Sequence, residues 1–483
     1  MTNVLDNLNP SLVFKYFEEI SQIPRGSGNE KQISDYLYKF AKDLNLEVIQ
    51  DEHLNILIRK PATKGYENCP GVILQGHMDM VCEKNKDVDH DFEKDPIELR
   101  IIDDMIYANG TTLGADNGIA VAMGLAVLAS NDLSHPDLEV LITSDEEAGM
   151  SGAIGLDGNI LKGKYIINLD SEEEGYLLVS CAGGNRSYVT LPLTYKSIDE
   201  DKEVLLLEVK GLLGGHSGMD IVKQRANSNV TMGRVLNLLD VEFDLVEVNG
   251  GSKNNAIPRE CEAKVVVNKN QVDDFKASLL KIEEILKHEF RVTDANLRLE
   301  VSQTSAEKAL SDDCKSKVIL LLNLIPNGIQ TQSMEIENLV ESSTNLGVVR
   351  TVGDEMSFES AVRSSVATLR ENINNKTKLL AEAIGANFES TNGYPAWEYA
   401  KDSKLEHICV DVYEKLTGKK PIITAIHAGL ECGLLLDKMD GAEAISMGPD
   451  MFEVHTPNEH VSISSIKNVW DYLVKVLEAM NQY

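Results

Sequence analysis

Histidine and carboxylate side chains recur in this chain at the points where predicted strands give way to loops. They stand in the segments LQGHMD, LGADNG, LITSDEE, INLDSEE and MGPDMFEVHTPNEH, which are spread over most of the sequence. Nitrogen and oxygen ligands without cysteine suit a borderline divalent ion such as Zn²⁺ in a catalytic rather than a structural role. The sequence therefore predicts a two-metal site with the ligands His77, Asp116, Glu147, Asp170 and His455.

The adjacent carboxylates Glu146 and Glu147 indicate what chemistry such a site would perform. At the end of a buried strand they repel one another and lose hydration unless cations or protons compensate. One of them can bind a metal while the other holds a water molecule and takes its proton. We therefore predict that Glu147 is a ligand and Glu146 the general base. The alternative is an ordinary acidic turn, in a chain that has 77 acidic residues.

Two further motifs would support the ligands. A histidine ligand needs a hydrogen bond to its far ring nitrogen, and Asp79 projects to the same side of an extended segment as His77. Asp116 lies between glycines that allow close backbone approach, and its two oxygens could bridge two cations. Each motif alone also has a simpler explanation, namely a histidine packed at a strand end and a helix N-cap.

Length and charge limit the class of protein. A chain of 483 residues is too long for one ordinary domain, so two are expected. Its formal charge of −31 argues against nucleic acid and anionic membranes as partners. No signal peptide and no run of about 18 apolar residues are visible. Seven scattered cysteines without a CxxC pair indicate a reducing compartment, so a cytoplasmic location is expected.

Short apolar strands alternate with helices over the first 170 residues or so. This pattern predicts an α/β domain with a mixed sheet between helices. Ligands of such sheets collect at the carboxyl ends of strands, where the candidate ligands fall. Helices are predicted over residues 10–45 and after Asp116, and the predicted strands are Leu46–Gln50, Asn55–Arg59, Val72–Leu74, Met105–Ala108, Leu138–Thr143 and Tyr165–Leu169.

The pattern changes near residue 184. A strand–strand–helix pattern then occurs twice, which predicts an α+β domain made of two similar halves. The first pattern resumes near residue 394, so the second domain is inserted into the first. The predicted organisation is a first catalytic part at 1–184, an inserted domain at 185–393 and a second catalytic part at 394–483. The insertion explains how His455 can join ligands from the first part.

The motifs also resemble a known family when they are taken together and in order. LQGHMDMVCEKN, TTLGADNGIAVA, LITSDEEAGMSGA, GGHSGMDI and IHAGLECG are similar to segments of the co-catalytic zinc metallopeptidases, and most closely to the bacterial aminoacyl-histidine dipeptidases. The resemblance spans nearly the whole chain. It implies two divalent ions with Asp116 as the bridge. Zinc is expected, and cobalt or manganese is possible because sites of oxygen and nitrogen donors admit all three. The resemblance also implies Glu146 and Asp79 as catalytic residues, Asp79 by orienting His77.

The resemblance extends to substrate binding. It implies that the inserted domain acts as a lid and forms a homodimer, and that His216, Asn254 (or its neighbour Asn255) and Arg363 of this domain contact the substrate. His427, expected on the catalytic domain, would be a further substrate-binding residue. Considered singly, these residues have simpler explanations: a flexible turn at GGHSG, a salt bridge for Arg363 and a core histidine for His427.

The expected function is hydrolysis of Xaa-His and related dipeptides, such as β-alanyl-histidine, by metal-activated water with Glu146 as base. A tripeptidase, carboxypeptidase or N-acyl-amino-acid hydrolase of the same clan would keep this chemistry and change the substrate. A catalytically silent metal- or peptide-binding protein is the alternative from another class, and the presence of Glu146 argues against it.

Overall fold

The structure is a computed structural model that describes residues 4–482, apart from the side chain of Asn392. Its contacts divide the chain into two units. The first unit comprises the chain up to Ser180, Tyr399–Ala425 and the chain from Leu430 onward, and the second comprises Cys181–Glu398 and Ile426–Gly429. The sequence analysis placed residues 426–429 in the last catalytic segment, whereas their contacts are with the second unit.

The helices of the described chain are distributed over both units. They are α1 (Ser11–Ser21), α2 (Lys31–Asp43), α3 (Ala115–Ala129), α4 (Ser151–Gly155), α5 (Ser228–Leu238), α6 (Val272–Glu289), α7 (Asp312–Leu324), α8 (Ala367–Ile384), α9 (Lys404–Thr417), α10 (Glu431–Lys438) and α11 (Ile463–Ala479). Among these residues, no helix combines the length and the apolar character that a membrane span requires.

The strands of the described chain are β1 (Glu47–Gln50), β2 (Ile56–Lys60), β3 (Val72–His77), β4 (Leu99–Ile102), β5 (Met105–Ala108), β6 (Leu138–Thr143), β7 (Tyr165–Asn168), β8 (Tyr176–Cys181), β9 (Gly183–Pro192), β10 (Tyr195–Ser197), β11 (Lys202–Lys210), β12 (Gly215–His216), β13 (Asp244–Gly250), β14 (Ala256–Ile257), β15 (Cys261–Asn268), β16 (Arg298–Gln303), β17 (Lys308–Leu310), β18 (Gly328–Gln332), β19 (Val340–Val352), β20 (Glu355–Ser364), β21 (Asn387–Tyr394), β22 (Ile422–Ile426), β23 (Glu443–Ser446), β24 (Met451–Phe452) and β25 (His460–Ser462). The longest strands, β19 with 13 residues and β9 and β20 with 10 each, lie in the second unit.

The first unit contains an eight-stranded mixed sheet in the order β1-β2-β6-β3-β7-β23-β8-β22. Strands β6, β3, β7 and β23 run parallel, while β1 and β2 pair antiparallel at one side. Every residue of β3, β6 and β7 is buried, as expected for strands that are covered on both faces. This confirms the predicted α/β class and places the strand ends at a common edge.

The helices of this unit follow from their apolar spacing. In α2 the buried Ile33, Leu37 and Ala41 recur every four residues and form one apolar face. Helix α3 is apolar all round, and it is buried on nearly every side because it packs against both α1 and β3. Helix α11 begins after Ser462, whose hydroxyl accepts the backbone N–H of Ser465 as an N-cap.

The second unit contains a nine-stranded sheet built from two similar halves. The main path is β16-β11-β15-β13-β19-β20-β9-β21, with β18 beside β19. Each half has the chain order strand–helix–strand–strand–helix–strand, namely β11-α5-β13-β15-α6-β16 and β9-α7-β19-β20-α8-β21. The halves meet where Gly250 pairs with Val349. The predicted duplication is thereby confirmed, but each copy is longer than the predicted strand–strand–helix, and β9 precedes the other half in the chain.

Candidate metal centre

Parallel strands bring three of the predicted ligands to one edge of the first sheet. His77 is the last residue of β3 and is in register with Thr143, the last residue of β6. Strand β7 ends one residue before Leu169, so Asp170 lies just beyond the same edge. Because parallel strands end on the same side, His77, Glu147 and Asp170 reach a common space.

Helix α3 supplies Asp116, and a close approach to β3 positions it. Asp116 has non-helical φ and ψ of −79° and 109° near the start of the helix. Asn117 accepts the backbone N–H of His77 through its Oδ1 at 3.2 Å. A Cβ at Gly76 would lie 2.4 Å from that oxygen and 2.6 Å from Ala120 Cβ, so glycine is required at this position. The Gly76 of LQGHMD therefore lets the helix place Asp116 opposite His77.

His455 comes from the hairpin formed by β24 and β25. The intervening loop turns at Glu453 and His455, which have left-handed φ values of 51° and 65°. The hairpin belongs to a second, four-stranded sheet of the first unit, in the order β24-β25-β5-β4. This sheet joins β24 and β25 of the last part of the chain to β5 and β4 of the first part, and it brings His455 to the other candidate ligands.

Asp116 lies between the two histidines. Its Oδ1 is 3.1 Å from His77 Nε2, and its Oδ2 is 3.2 Å from His455 Nε2. Asp170 Oδ1 is 3.4 Å from His77 Nε2, and Glu147 Oε1 is 2.9 Å from His455 Nε2. Each carboxylate oxygen of Asp116 therefore faces a different imidazole. Each imidazole also lies near a second carboxylate, which is Asp170 for His77 and Glu147 for His455.

These contacts define two groups that could each hold a metal ion. In the described part of the chain, His77, Asp116 and Asp170 form one group of ligand atoms within 4.8 Å of one another, and Asp116, Glu147 and His455 form another. His77, Glu146 and Glu147 form a third, overlapping group. The donors are carboxylate oxygens and imidazole nitrogens, the set that zinc, cobalt and manganese accept. The residues therefore fit two divalent cations that share Asp116.

The electrostatics of the candidate ligands show a local excess of negative charge. Burial alone would lower the pKa of His77, but Asp170, Asp116 and Asp79 raise it well above its ordinary value. Hydrogen bonds to Asp116 and Glu147 raise the pKa of His455 to about 10. Burial raises the pKa of Asp170 to about 6 despite the opposing charge of His77. Excess negative charge in a buried space is stabilised by protons or by metal ions, and metal binding displaces the protons.

Glu146 is close to this centre but outside the two groups that share Asp116. Its side chain is 13% exposed, and its Oε2 is 4.0 Å from His77 Nε2. Burial raises the pKa of Glu146 to about 9, with His77 opposing and the carboxylates Asp170, Glu431 and Glu147 adding to the rise. A bound cation would favour the charged form and bring this carboxyl toward the pKa range in which a general base works.

Asp79 holds more than His77. One of its oxygens is 3.4 Å from His77 Nδ1 and accepts the backbone N–H of Glu146 at 3.0 Å. The other accepts the backbone N–H of Glu147 at 3.2 Å and the hydroxyl of Ser27 at 2.7 Å. Burial would raise the pKa of Asp79, but these hydrogen bonds and the charge of His77 lower it. The buried carboxylate therefore contacts both the His77 ring and the backbone of the loop that carries Glu146 and Glu147.

This geometry predicts the effect of Asp79→Asn. The amide keeps one acceptor and places an NH₂ group against backbone N–H donors, so both the imidazole and the Glu146–Glu147 loop lose support. We expect metal affinity to fall about 10- to 100-fold, as for other partners of metal ligands. Competition with a chromophoric chelator measures it. Asp87→Asn, at an exposed aspartate of the following loop, is the control, and equal affinity of both variants would contradict the role of Asp79.

Sequence analysis missed three buried charges around the centre. Arg25 is 2% exposed and donates to the backbone carbonyls of Met78, Asp79 and Gly114. Glu431 is fully buried, and Glu459 is 2% exposed. Their partners are backbone groups or neutral side chains, so no spacing of charged residues signals them. That these residues lie close to the candidate metal ligands becomes apparent only in the structure.

Glu431 lies below the strand ends. Its Oε2 accepts from Gln75 Nε2 and from Thr143 Oγ1, both at 2.6 Å. Gln75 also accepts a hydrogen bond from Asn168 Nδ2 at 2.6 Å. Burial raises the pKa of Glu431 to about 7, against the charge of His77. Buried side chains of β3, β6 and β7 are thus joined in one polar network.

His216 lies in the second unit, where β12 pairs with β14. Its Nδ1 accepts the backbone N–H groups of Gly218 at 3.3 Å and Met219 at 3.1 Å. An imidazole that accepts at Nδ1 carries its proton on Nε2. Burial, and then the charge of Arg363, lower the pKa of His216. The side chain is therefore neutral near pH 7 and presents an Nε2–H donor.

Arg363 and His427 also lie in the second unit. Arg363 Nη1 donates to the hydroxyl of Tyr394 at 2.8 Å. His427 Nε2 lies 2.7 Å from the hydroxyl of Ser343. Burial, and then the charge of Arg363, lower the pKa of His427 to about 4. His427 was expected on the catalytic domain, and this is corrected, because residues 426–429 and their partner Ser343 belong to the second unit.

Asn254 is half-buried in the turn before β14. Its backbone carbonyl accepts a hydrogen bond from Asn345 Nδ2 at 2.9 Å. The neighbouring Asn255 is exposed, and its carbonyl accepts the backbone N–H of Ser217 at 2.9 Å. The turn is thereby tied to β19 on one side and to the His216 segment on the other.

Comparison with known proteins places these motifs in context. The model of peptidase family M20/M25/M40 matches residues 73–479. The cytosol non-specific dipeptidase of Escherichia coli (strain K12) is 39% identical over 477 residues, which cover 98% of each chain. The structure of aminoacylhistidine dipeptidase from Vibrio alginolyticus matches with a TM-score of 0.93 and 38% identity over 98% of each chain. Aminopeptidase PepT from Bacillus cereus, with a TM-score of 0.57 and 17% identity over 98% and 99% of the two chains, shares the fold.

Proposed function

The chain belongs to peptidase family M20/M25/M40, and we propose that it is a di-metal dipeptidase that hydrolyses Xaa-His and related dipeptides such as β-alanyl-histidine. The identity to a cytosol non-specific dipeptidase over nearly the whole chain supports dipeptide hydrolysis. The likeness to an aminoacylhistidine dipeptidase supports the preference for histidine. The observation that carries the two-metal proposal is Asp116, whose two oxygens face His77 and His455 separately.

Each half of the centre has its own ligands. His77 and Asp170 would hold one ion, Glu147 and His455 the other, and Asp116 both. Bound divalent ions supply Lewis acidity, which makes water nucleophilic at neutral pH and polarises the peptide carbonyl. Zinc is the proposed metal, and cobalt and manganese suit the same oxygen and nitrogen donors.

We propose that Glu146 transfers a proton from the attacking water to the leaving amine. The side chain is mostly buried beside His77 and Glu147, so bulk water competes little for that proton. Asp79 supports this step because it holds the backbone N–H groups of both Glu146 and Glu147.

The second unit is proposed to bind the substrate. The Nε2–H group of neutral His216 is suited to donate to the oxyanion that forms at the scissile carbonyl. Arg363 is suited to a substrate carboxylate, because its fork of N–H donors matches carboxylate geometry. Asn254 and His427 complete the proposed set. Support for His427 is its fixed, neutral ring against Ser343.

The role of Arg363 predicts a selective loss. Arg363→Lys keeps the charge but not the fork, so kcat/KM for a dipeptide should fall about 10- to 100-fold, the equivalent of a charge-assisted hydrogen bond of 1.5–3 kcal/mol. Hydrolysis of the matching dipeptide amide, which has no carboxylate, should change little. Arg350→Lys, at an exposed arginine of β19, is the control. An equal loss on both substrates would show that Arg363 does not bind the carboxylate.

A substrate panel with metal analysis tests the proposed function. Purified protein is analysed for bound metals, and the hydrolysis of β-alanyl-histidine, other dipeptides, tripeptides and acylated amino acids is compared before and after chelation. Two ions per chain and chelation-sensitive dipeptide hydrolysis are expected. A strong preference for tripeptides or acylated amino acids would replace the dipeptidase proposal. Bound metal without any hydrolysis would favour a binding protein.

Two further proposals rest on the resemblance to dipeptidases. We propose a cytoplasmic location, in keeping with the cytosol dipeptidase to which the chain is similar.

We also propose a homodimer formed through the second unit. Light scattering coupled to size exclusion should give twice the chain mass of 53.2 kDa, and a monomer at micromolar concentration would contradict the dimer.

A further inference from the structure

Glu459 accepts a run of backbone N–H groups that ends with that of Asp116, the proposed bridging ligand. Its Oε2 accepts from the N–H of Leu113 at 2.8 Å and of Gly114 at 3.0 Å. Its Oε1 accepts from the N–H of Ala115 at 2.8 Å and of Asp116 at 3.4 Å. One carboxylate thus satisfies four successive backbone donors, and its side chain is nearly inaccessible to solvent.

The same carboxylate belongs to the hairpin that carries His455. Glu459 lies four residues after His455 in the loop that ends at β25. The contacts therefore tie the Asp116 loop to the His455 hairpin across more than 340 residues of sequence. Arg25 ties the opposite side of the Asp116 loop, at Gly114, to the backbone that follows His77. Opposite buried charges thus connect all three segments.

From these contacts we infer that Glu459 is a positioning residue for the metal centre, an inference that rests on the proposed di-metal function. It sets the distance between Asp116 and His455 and so determines whether the second oxygen of Asp116 can share an ion with that imidazole. The ion between Asp116, Glu147 and His455 depends on this contact. The ion between His77, Asp116 and Asp170 depends on it less, because His77 ends β3 and Asp170 lies two residues beyond the end of the paired strand β7.

A glutamine at position 459 would break the contact selectively. Its single carbonyl oxygen can serve two of the four N–H groups, while its NH₂ group faces the other two donors. Two buried N–H groups then lose their acceptor, and the Asp116 loop is free to move away from the hairpin. Glu453→Gln makes the same chemical change at an exposed residue of the same hairpin and is the matched control.

The test is a metal titration of the full chain. Equilibrium dialysis with zinc, and cobalt titration followed by absorption, measure both binding steps in wild type, E459Q and E453Q. For E459Q we expect one step to weaken about 10- to 100-fold, while the other step and the E453Q variant remain near wild type. A residue that only stabilises the fold would lower the melting temperature and leave both steps unchanged, and that result would overturn the inference.

A second measurement needs no variant. Hydrogen exchange of the N–H groups of residues 113–116 should be as slow in chelated wild-type protein as in metal-loaded protein, because Glu459 rather than the metal holds them. Fast exchange in the chelated protein would overturn the inference even if E459Q does not fold. Failure of the proposed function would be recognised by a different result. In that case the wild-type protein would show no dipeptide hydrolysis or no second metal-binding step, whatever its hydrogen exchange.

Discussion

Glu146→Gln is expected to leave both metal ions bound and to reduce kcat by about 10²- to 10⁴-fold, the usual contribution of a general acid–base residue. Glutamine has nearly the same shape as glutamate but cannot take a proton. Glu146 is outside both groups that share Asp116, so its replacement removes none of the five predicted ligands. Metal content by elemental analysis and kcat with β-alanyl-histidine test the two parts of this expectation.

The control for this prediction is Glu173→Gln, which removes a carboxylate from an exposed position after β7. It should leave both metal content and kcat unchanged. If Glu146→Gln hydrolyses dipeptides at the wild-type rate, Glu146 is not the base. If it instead loses an ion, Glu146 is a ligand, and the group formed by His77, Glu146 and Glu147 gains importance.

The positions of the predicted ligands could be predicted from the sequence because most of these residues follow recognisable strands. Apolar runs bounded by polar residues define β5 and β6, which the sequence analysis predicted at Met105–Ala108 and Leu138–Thr143, the bounds found in the structure. Parallel strands end at one edge, so polar residues just beyond them converge there. The structure accordingly brings His77, Glu147 and Asp170 into adjacent groups. Their metal-binding role remains a prediction until it is measured.

The supports of the ligands were not accessible in the same way. Glu459 and Arg25 bind backbone groups, which every residue has, so no sequence motif indicates these contacts. In so acidic a chain, a single glutamate after His455 has solvated charge as its ordinary explanation. The second unit shows a related limit. In both halves the predicted strand–strand–helix pattern covers only the later part. In addition, β9 is separated from the rest of its own half by the whole other half, so local periodicity cannot link them.

Asp116→Asn should have the largest effect of any substitution at the proposed ligands, because Asp116 is the residue that we propose both metal ions share. Burial would raise the pKa of Asp116, but its hydrogen bonds to His455 and His77 hold it below the ordinary range. Asparagine supplies one neutral oxygen and turns an NH₂ group toward the other imidazole. We expect at least one ion to be lost and kcat/KM to fall by about 10³-fold or more, since a Lewis-acid contribution of several kcal/mol corresponds to a factor of ten per 1.4 kcal/mol.

Asp132→Asn, at an exposed aspartate just after the far end of α3, is the matched control and should retain both ions. A comparison with Glu146→Gln separates loss of a metal ion from loss of the general base. Both variants should lose most of their activity, but only Asp116→Asn should change the metal-to-protein ratio after dialysis against a fixed free zinc concentration. If Asp116→Asn keeps two ions, the two halves do not depend on a shared carboxylate. The contacts of Asp116 with the two imidazoles would then be hydrogen bonds that the metals do not replace, and the two-metal proposal would lose its main support.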